Sequence, residues 1–199
     1  PGWRPVGGEA DRRFRWSADV FVLALLLAAP LVLLELALGG LVRHQVGEGS
    51  VRAHGALADL VERHETLRTV YPDHDGVGSQ LILPASEATP TLRAQDVTEA
   101  EVHGRVVRAV TTGFDVTAEV PLRLELLRIS RDAAGVTTAQ DEHVLIIVVH
   151  HIAADGTSIE PFVRDLVTAY LARTSGTAPG WEPLAVQYAD YTLWQRAVL

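Results

Sequence analysis

From about residue 52 onward, the apolar residues of this chain recur first at helical and then at strand-like spacing. A helix is predicted after residue 52 because its apolar positions follow helical spacing; they are Ala56, Leu57, Leu60, Val61 and Leu67. Tyr71-Pro72 is predicted to end this unit, since proline cannot continue a helix. The turn-forming residues 73–76 separate it from residues 80–84, a short apolar run typical of a strand.

A second helix is predicted over residues 98–111. Thr98 and Glu101 have the spacing of a capping box, in which two side chains satisfy backbone N–H groups at the helix start. The apolar stripe of this helix consists of Val102, Val106, Val107 and Val110. Gly113 is the predicted stop.

Two strands are predicted in the middle of the chain. In residues 121–130, leucine alternates with charged residues, which is the period-2 pattern of a half-buried strand. Residues 131–140 are polar, like the loop of a hairpin. Residues 143–150 are apolar at six consecutive positions and rich in β-branched side chains, so they predict a strand covered on both faces at the centre of the sheet.

The last quarter of the chain predicts two more helices. Ser158 is placed to cap a helix that ends at Ser175-Gly176; its predicted inward residues are Phe162, Leu166, Val167, Tyr170 and Leu171. A loop at residues 177–183 and a helix over residues 189–199 follow. The pattern as a whole predicts an α/β fold, a mixed sheet with flanking helices, over residues 52–199.

Residues 20–34 form a charge-free apolar run, followed by Glu35 and a further apolar stretch at residues 36–42. A bilayer-spanning helix needs about 20 apolar residues, and an arginine-rich stretch lies upstream as in a signal peptide or anchor. Pro30 and Glu35 interrupt the run and favour a buried helix over a membrane segment. The composition changes near residue 50, so residues 1–51 are treated as a separate, atypical segment.

Composition narrows the possible partners. The chain has 199 residues, of which 48% are hydrophobic, and is long enough to bury a core. Its formal net charge of −8 argues against the broad basic surface that nucleic-acid binding requires. It contains no cysteine, which excludes disulfides, thiolate metal sites and a cysteine nucleophile, and fits a reducing compartment.

His150 and His151 are adjacent at the end of the predicted central strand, and Asp155 and Gly156 follow at a sharp turn. Neighbouring side chains of a strand point to opposite faces, so one imidazole is expected to be structural and the other functional. A neutral imidazole can take a proton from an amine or alcohol nucleophile at neutral pH. Asp155 is placed to orient it, and Gly156 would let the backbone approach a ligand closely.

A histidine pair by itself is also compatible with simple packing. The spacing does not match a helical pair of zinc ligands, and a third ligand is not indicated nearby, so no metal site is predicted. The other histidines are interpreted as surface or structural residues: His44, His54, His64, His74, His103 and His143.

These motifs resemble one family. His150-His151-Ile152-Ala153-Ala154-Asp155-Gly156 resembles the HHxxxDG motif of the condensation domains of non-ribosomal peptide synthetases, whose fold is similar to that of chloramphenicol acetyltransferase. Arg63-His64-Glu65-Thr66-Leu67-Arg68-Thr69 resembles the family's second motif, and Tyr188-Ala189-Asp190-Tyr191-Thr192-Leu193-Trp194-Gln195-Arg196 resembles its fourth. Gly113-Phe114-Asp115 is also similar to family sequences. The resemblance implies that residues 52–199 are the N-terminal lobe of such a domain, an α+β sandwich.

The resemblance implies amide-bond formation between two thioesters that arrive on phosphopantetheine arms, without a directly bound cofactor or metal. His151 would face the tunnel as general base or as the group that positions the amine, and His150 would be structural. Asp155 would pair with Arg68 and hold the loop, and the backbone N–H of Gly156 would help to polarise the thioester. The implied partners are the peptidyl carrier domains, the adenylation domain and the second lobe of the same cytoplasmic synthetase.

Two features depart from the family pattern. The first motif, of the type Ser-x-Ala-Gln-x-Arg-Leu-Trp, does not occur in residues 1–50, so residues 1–51 are interpreted as a divergent native helix or as a start outside the native reading frame. The second lobe is not present either, and we expect little or no activity from this chain alone. The alternatives are a stand-alone acyltransferase of the same superfamily, a non-catalytic interaction lobe and a membrane-anchored remnant.

Overall fold

A mixed sheet with helices on both faces organises this protein, whose computed structural model describes residues 20–23, 46–129 and 142–199. The strands are β1 (Val20–Leu23), β2 (Thr69–Val70), β3 (Asp73–His74), β4 (Val77–Gly78), β5 (Leu81–Ile82), β6 (Ala94–Val97), β7 (Leu122–Ile129) and β8 (Glu142–His150). The main sheet has the order β1-β8-β7-β6. β8 is antiparallel to β1 and β7, whereas β6 is parallel to β7. β8 is therefore an internal strand, as its sequence predicts.

Five helices and two short 3₁₀ helices complete the described part of the chain. The helices are α1 (Val46–Arg63), α2 (Ala85–Ala88), α3 (Glu99–Thr111), α4 (Ile159–Thr174) and α5 (Tyr188–Val198), and the 3₁₀ helices are Glu65–Arg68 and Gly156–Ser158. α1 and α4 pack on one face of the main sheet, and α3 packs on the other.

Alternation along β7 and β8 divides the core into two layers. Toward α1 and α4, the sheet presents Leu122, Leu124, Leu126, Leu145, Ile147 and Val149. Toward α3, it presents Leu127, Ile129, Val144, Ile146 and Val148. All of these side chains are buried. The prediction of a strand covered on both faces is confirmed, because each parity of the apolar run meets its own helical layer.

The predicted capping box and turn are both present. Glu101 accepts hydrogen bonds from the backbone N–H and the hydroxyl of Thr98, each at 2.8 Å. In the turn between β3 and β4, Asp75 and Gly76 have φ of 56° and 82°, a region that glycine and aspartate tolerate best. Asp73 accepts the N–H of Gly76 at 2.8 Å. These two features depend on neighbouring residues only, which is why the sequence predicts them.

Other boundaries differ from the prediction. α1 ends at Arg63 rather than near Tyr71, because His64 adopts an extended backbone (φ −107°, ψ 97°) before the 3₁₀ helix. Val107 and Val167, which are predicted to face inward, are 42% and 38% exposed. Ser158 precedes α4 but makes no capping bond, since its hydroxyl donates to Asp155 instead.

The apolar N-terminal run contributes a strand rather than a helix at its first four residues. Val20–Leu23 pairs with β8 over Val20↔His150 to Leu23↔Ile147. The rest of residues 20–42, the other residues of the 1–51 segment before Val46, and the predicted loop at residues 131–140 lie outside the described residues. Across the described ranges, none of the helices combines the length and the apolar character that crossing a bilayer demands.

Candidate active site

Three sequence motifs that lie far apart in the chain line one cavity of about 300 Å³. The segment after α1 contributes His64, Thr66 and Leu67, and the start of α5 contributes Tyr188. The turn after β8 contributes residues 151–155, including His151 and Asp155. The cavity therefore lies where α1, the end of β8 and α5 meet.

The two adjacent histidines are separated by burial. His150 is 7% exposed and lies in β8 on the side that faces α3. Its Nδ1 accepts the backbone N–H of Ile152 at 3.0 Å, which holds the first residues of the turn. His151 follows the last strand residue, is exposed, and lies on the wall of the cavity. The two side chains are thus separated, as the alternation of side chains along a strand predicts; that one is structural and the other functional stays a prediction.

An aromatic and cationic stack supports His150. The ring of Phe114 lies edge-on to His150, with centroids 5.9 Å apart and an interplanar angle of 83°. The guanidinium of Arg123 lies 4.1 Å from the centroid of the Phe114 ring and donates to the carbonyls of Thr112 and Gly113 at 2.9 and 3.0 Å. The Gly113-Phe114-Asp115 segment therefore braces the strand end that carries the histidine pair.

Asp155 organises the turn through hydrogen bonds to its own neighbours. Its Oδ1 accepts from the backbone N–H groups of Thr157 and Ser158 at 3.1 and 3.0 Å, and from their hydroxyls at 2.8 and 2.7 Å. These bonds, led by the one from the Ser158 hydroxyl, lower the pKa of Asp155 from 3.8 to about 2. Gly156 opens the 3₁₀ helix beside it. Its φ is not positive, unlike that of Gly76 and Gly176, so left-handed backbone is not what favours glycine here.

The expected ion pair between Arg68 and Asp155 is not formed. Arg68 Nη1 donates to the carbonyl of Leu83 at 2.6 Å, and its Nη2 lies 3.4 Å from Glu65 Oε1. Asp155 is exposed and has its carboxylate occupied by the turn. Arg68 instead links the 3₁₀ helix to the end of β5, because the helix α1 ends earlier than the sequence predicts and leaves Arg68 beside Leu83.

The pKa of Asp155 makes a testable prediction for the turn. A carboxyl whose pKa is lowered by folding stabilises the folded state above its unfolded pKa, and this contribution disappears as the pH falls through the folded value. We expect the Asp155 carboxyl carbon to titrate in an NMR experiment with a midpoint of about 2. Ser158→Ala should raise that midpoint, because it removes the hydroxyl bond of 2.7 Å. Ser79→Ala, outside the turn, should leave it unchanged; an equal midpoint in both variants would contradict the assignment.

A buried acid, Asp165, ties the α1 end to α4. Its side chain is 7% exposed, and its Oδ2 lies 2.8 Å from Arg63 Nε and 3.0 Å from His64 Nε2. Arg164 Nε reaches its Oδ1 at 3.2 Å. Arg63 also donates to the carbonyl of Glu182 at 2.7 Å and lies 4.7 Å from the centroid of the Trp181 ring. The second motif is therefore fixed by residues about 100 positions later.

The protonation states of this cluster follow from its surroundings. Burial raises the pKa of Asp165, but the hydrogen bonds from its three donors outweigh that effect and hold the pKa below its ordinary value. For His64, burial is the largest influence and lowers its pKa; the charges of the two arginines add to this effect, whereas Asp165 opposes it. At neutral pH, Asp165 is therefore a carboxylate and His64 a neutral imidazole.

Gln187 joins the second motif to the fourth. Its Nε2 donates to the carbonyl of Arg63 at 3.0 Å, and its Oε1 accepts the N–H of Glu65 at 3.3 Å. The backbone N–H of Gln187 donates to Asp190 at 3.0 Å, which starts α5. The two side-chain bonds of Gln187 hold the start of α5 against the end of α1, and this places Tyr188 at the cavity.

Of the residues that the sequence singles out, His151 and Asp155 line the cavity, whereas His150 and Gly156 are not among its lining residues; the contact of Asp165 with Arg63 and His64 was not predicted. His64 is interpreted from the sequence as a surface or structural residue, whereas it lies on the cavity wall. A signal for Asp165 exists: it shares the buried stripe of α4 with Phe162, Leu166 and Ala169. Within the part of the chain that the structure describes, no group of three or more histidine and carboxylate side chains is placed to hold a metal ion.

Comparison with known proteins agrees with the motifs. A family model described as "Condensation domain" matches residues 49–199. The chain is 46% identical over 155 residues to the dimodular nonribosomal peptide synthase of Bacillus subtilis, covering 78% of the chain and 6% of that protein. It is 49% identical over 148 residues to the isonitrile lipopeptide synthase of Mycobacterium tuberculosis, covering 72% of the chain and 6% of that protein. The chain thus spans about 6% of the length of these two relatives.

Solved structures agree as well. The crystal structure of the X-domain from teicoplanin biosynthesis matches with a TM-score of 0.66 and 38% identity, covering 74% of this chain and 30% of that one. The predicted fold, a chloramphenicol acetyltransferase-like lobe with a mixed sheet and flanking helices, is confirmed.

Proposed function

This chain belongs to the condensation-domain family, and we propose that it works as the N-terminal lobe of a condensation domain that joins carrier-bound aminoacyl or peptidyl thioesters in a non-ribosomal peptide synthetase. The observation that carries this proposal is the meeting of three motif segments at one cavity, with the accessible His151 on its wall. The bond from the Ile152 N–H to buried His150 and the bond from the Ser158 N–H to Asp155 hold the turn that carries His151.

In the proposed reaction, the amine of the acceptor aminoacyl group attacks the thioester carbonyl of the donor. A C–N bond forms, the C–S bond breaks, and the phosphopantetheine thiol of the donor leaves. The amine gives up one proton and the departing thiolate takes one, so the protons balance. We assign His151 to the amine, either as the general base or as the group that positions it, and the backbone N–H of Gly156 to the thioester oxygen.

The proposed partners follow from the substrates and from one exposed surface. Thioesters on phosphopantetheine arms require carrier domains, and an adenylation domain must load them. Helix α5 contributes no buried residue to the described core, and its exposed apolar residues are Tyr188, Tyr191, Leu193, Trp194 and Val198. Neighbouring rings on this face lie 5.9 and 5.8 Å apart. We propose that the second lobe of the domain packs here, because large apolar patches mark interaction surfaces.

The chain by itself is expected to form no dipeptide above background. His151 lies at an open surface, and reaction between two tethered substrates depends on holding both in position. The measurement is product formation by the purified 199-residue chain with two loaded carrier domains. Dipeptide formation that disappears in the His151→Ala variant would show that one lobe is sufficient, contrary to this expectation.

A second candidate function is a non-catalytic interaction lobe. The X-domain from teicoplanin biosynthesis, which this chain resembles at 38% identity, has also been solved as a complex with OxyB. A role of this kind would not require His151. Substituting His151 in the complete synthetase separates the two functions, since only the catalytic one predicts a loss of product.

A further inference from the structure

The active-site cavity contains a second imidazole that the proposed mechanism does not use. His64 lies on the cavity wall with His151 and Tyr188, although it comes from the end of α1 rather than from the motif after β8. Its side chain is 21% exposed, so it is neither a surface residue nor fully enclosed. A polar ring that is half-buried beside a substrate cavity is a candidate for substrate contact.

The buried carboxylate of Asp165 determines which nitrogen of His64 carries the proton. Asp165 can only accept hydrogen bonds, so the contact of 3.0 Å to His64 Nε2 requires a proton on Nε2. In a neutral ring the proton is then absent from Nδ1, which becomes an acceptor. Among the described residues, Nδ1 of His64 has no hydrogen-bond partner, whereas Nε2 has Asp165.

The surroundings of His64 favour this neutral form. The charged groups that face it are Asp165, Arg63 and Arg164, and burial together with the two arginines lowers the pKa of the imidazole. The bridge from Gln187 to the carbonyl of Arg63 fixes the backbone on which the ring stands. His64 is therefore held in place with its Nε2–H bonded to Asp165, and its Nδ1 can accept a hydrogen bond.

We propose that His64, held by Asp165, is a substrate-binding residue of the acyl-transfer site, whose Nδ1 accepts a hydrogen bond from an N–H group of the carrier-tethered substrate. The donor is either an amide N–H of the pantetheine arm or the amine of the aminoacyl group, which share this chemistry. This inference rests on the proposed function, because it assigns the cavity to a thioester substrate. His64 positions the substrate, and proton removal stays with His151.

Two substitutions of His64 distinguish a substrate-binding role from a purely structural role. Glutamine can place its amide nitrogen where Nε2 lies and keep the bond to Asp165, but it has no atom at the Nδ1 position. Asparagine places its amide group near the Nδ1 position and cannot reach Asp165. In the complete synthetase, His64→Gln is expected to raise KM for the loaded carrier about three- to tenfold, with kcat changed less, because one hydrogen bond is lost. His64→Asn should raise KM by less than His64→Gln.

The matched control is His103→Gln, an exposed histidine of α3 on the opposite face of the sheet, which should leave KM unchanged. A purely structural role of His64 predicts the reverse order of the two site variants, since asparagine loses the Asp165 bond. If KM of His64→Gln stays within twofold of the wild type, the proposal is overturned.

A binding measurement on the chain itself needs no turnover and so distinguishes this inference from the proposed function. The probes are pantetheine and a stable thioether analogue of aminoacyl-pantetheine, titrated into the ¹⁵N-histidine-labelled 199-residue chain. A shift of the His64 Nδ1 signal with both probes assigns the donor to the pantetheine arm, and a shift with the analogue alone assigns it to the amine. No shift with either probe overturns the inference. If the complete synthetase forms no amide bond while this shift occurs, the proposed reaction fails and the binding role of His64 stands.

Discussion

The His151→Ala variant of the complete synthetase is expected to form amide bonds about 10² to 10⁴ times more slowly than the wild type, the usual contribution of a general base. The loss should appear in kcat, because His151 is exposed on the cavity wall and is assigned to the attacking amine in the proposed reaction. Single-turnover transfer between two loaded carrier domains measures this step directly.

The matched control for this prediction is His103→Ala, an exposed histidine on α3. Its rate should equal that of the wild type. Circular dichroism of the His151→Ala protein should show the wild-type unfolding midpoint, so that the rate loss is not a folding defect. A rate within threefold of the wild type would remove His151 from the mechanism and favour the interaction lobe instead.

Asp165→Asn is expected to lower the free energy of unfolding by about 3–5 kcal/mol, because it removes one partner of a buried ion pair. The guanidinium of Arg63 is 12% exposed and would lose its counter-charge where α1 meets α4. The hydrogen bond from His64 Nε2 would then be made to a neutral amide oxygen instead of a carboxylate. The measurement is a urea titration of this chain, in which the midpoint falls while the slope m stays constant.

The control is Asp96→Asn, which makes the same change of charge in a carboxylate that also pairs with an arginine. Asp96 is 59% exposed and pairs with Arg128 at the edge of the sheet. Exposed ion pairs contribute little to stability, so its midpoint should not move measurably. Equal shifts in the two variants would show that burial is not what makes the Asp165 pair important.

The secondary structure was predictable where it depends on near neighbours. The capping box of α3, the turn at residues 73–76 and the buried strand β8 all appear as the sequence indicates. The end of α1 was not predictable in this way, since apolar spacing continues through Leu67 while the helix stops at Arg63. The side chains of Arg63 and His64 contact Asp165 at this point, about 100 residues later in the chain.

In the candidate site as well, features that depend on near neighbours were predictable and contacts between distant residues were not. The order of the motifs indicates the family, and the alternation of side chains along a strand indicates that His150 and His151 would be separated. The partner of Arg68 could not be read from the motifs, because the family resemblance implies Asp155 whereas the structure gives Leu83 and Glu65. Asp155 needs no distant partner, as its turn supplies four donors within three residues.

The sequence by itself determined the family, the strand that carries the histidine pair and the local turn around Asp155, because periodicity, capping and motif spacing are properties of neighbouring residues. Only the tertiary structure decided that His64 shares the cavity with His151 and that Asp165 determines which nitrogen of His64 carries the proton. Both depend on how α4 packs against the end of α1, and a buried carboxylate selects its partners by distance and burial rather than by position in the chain.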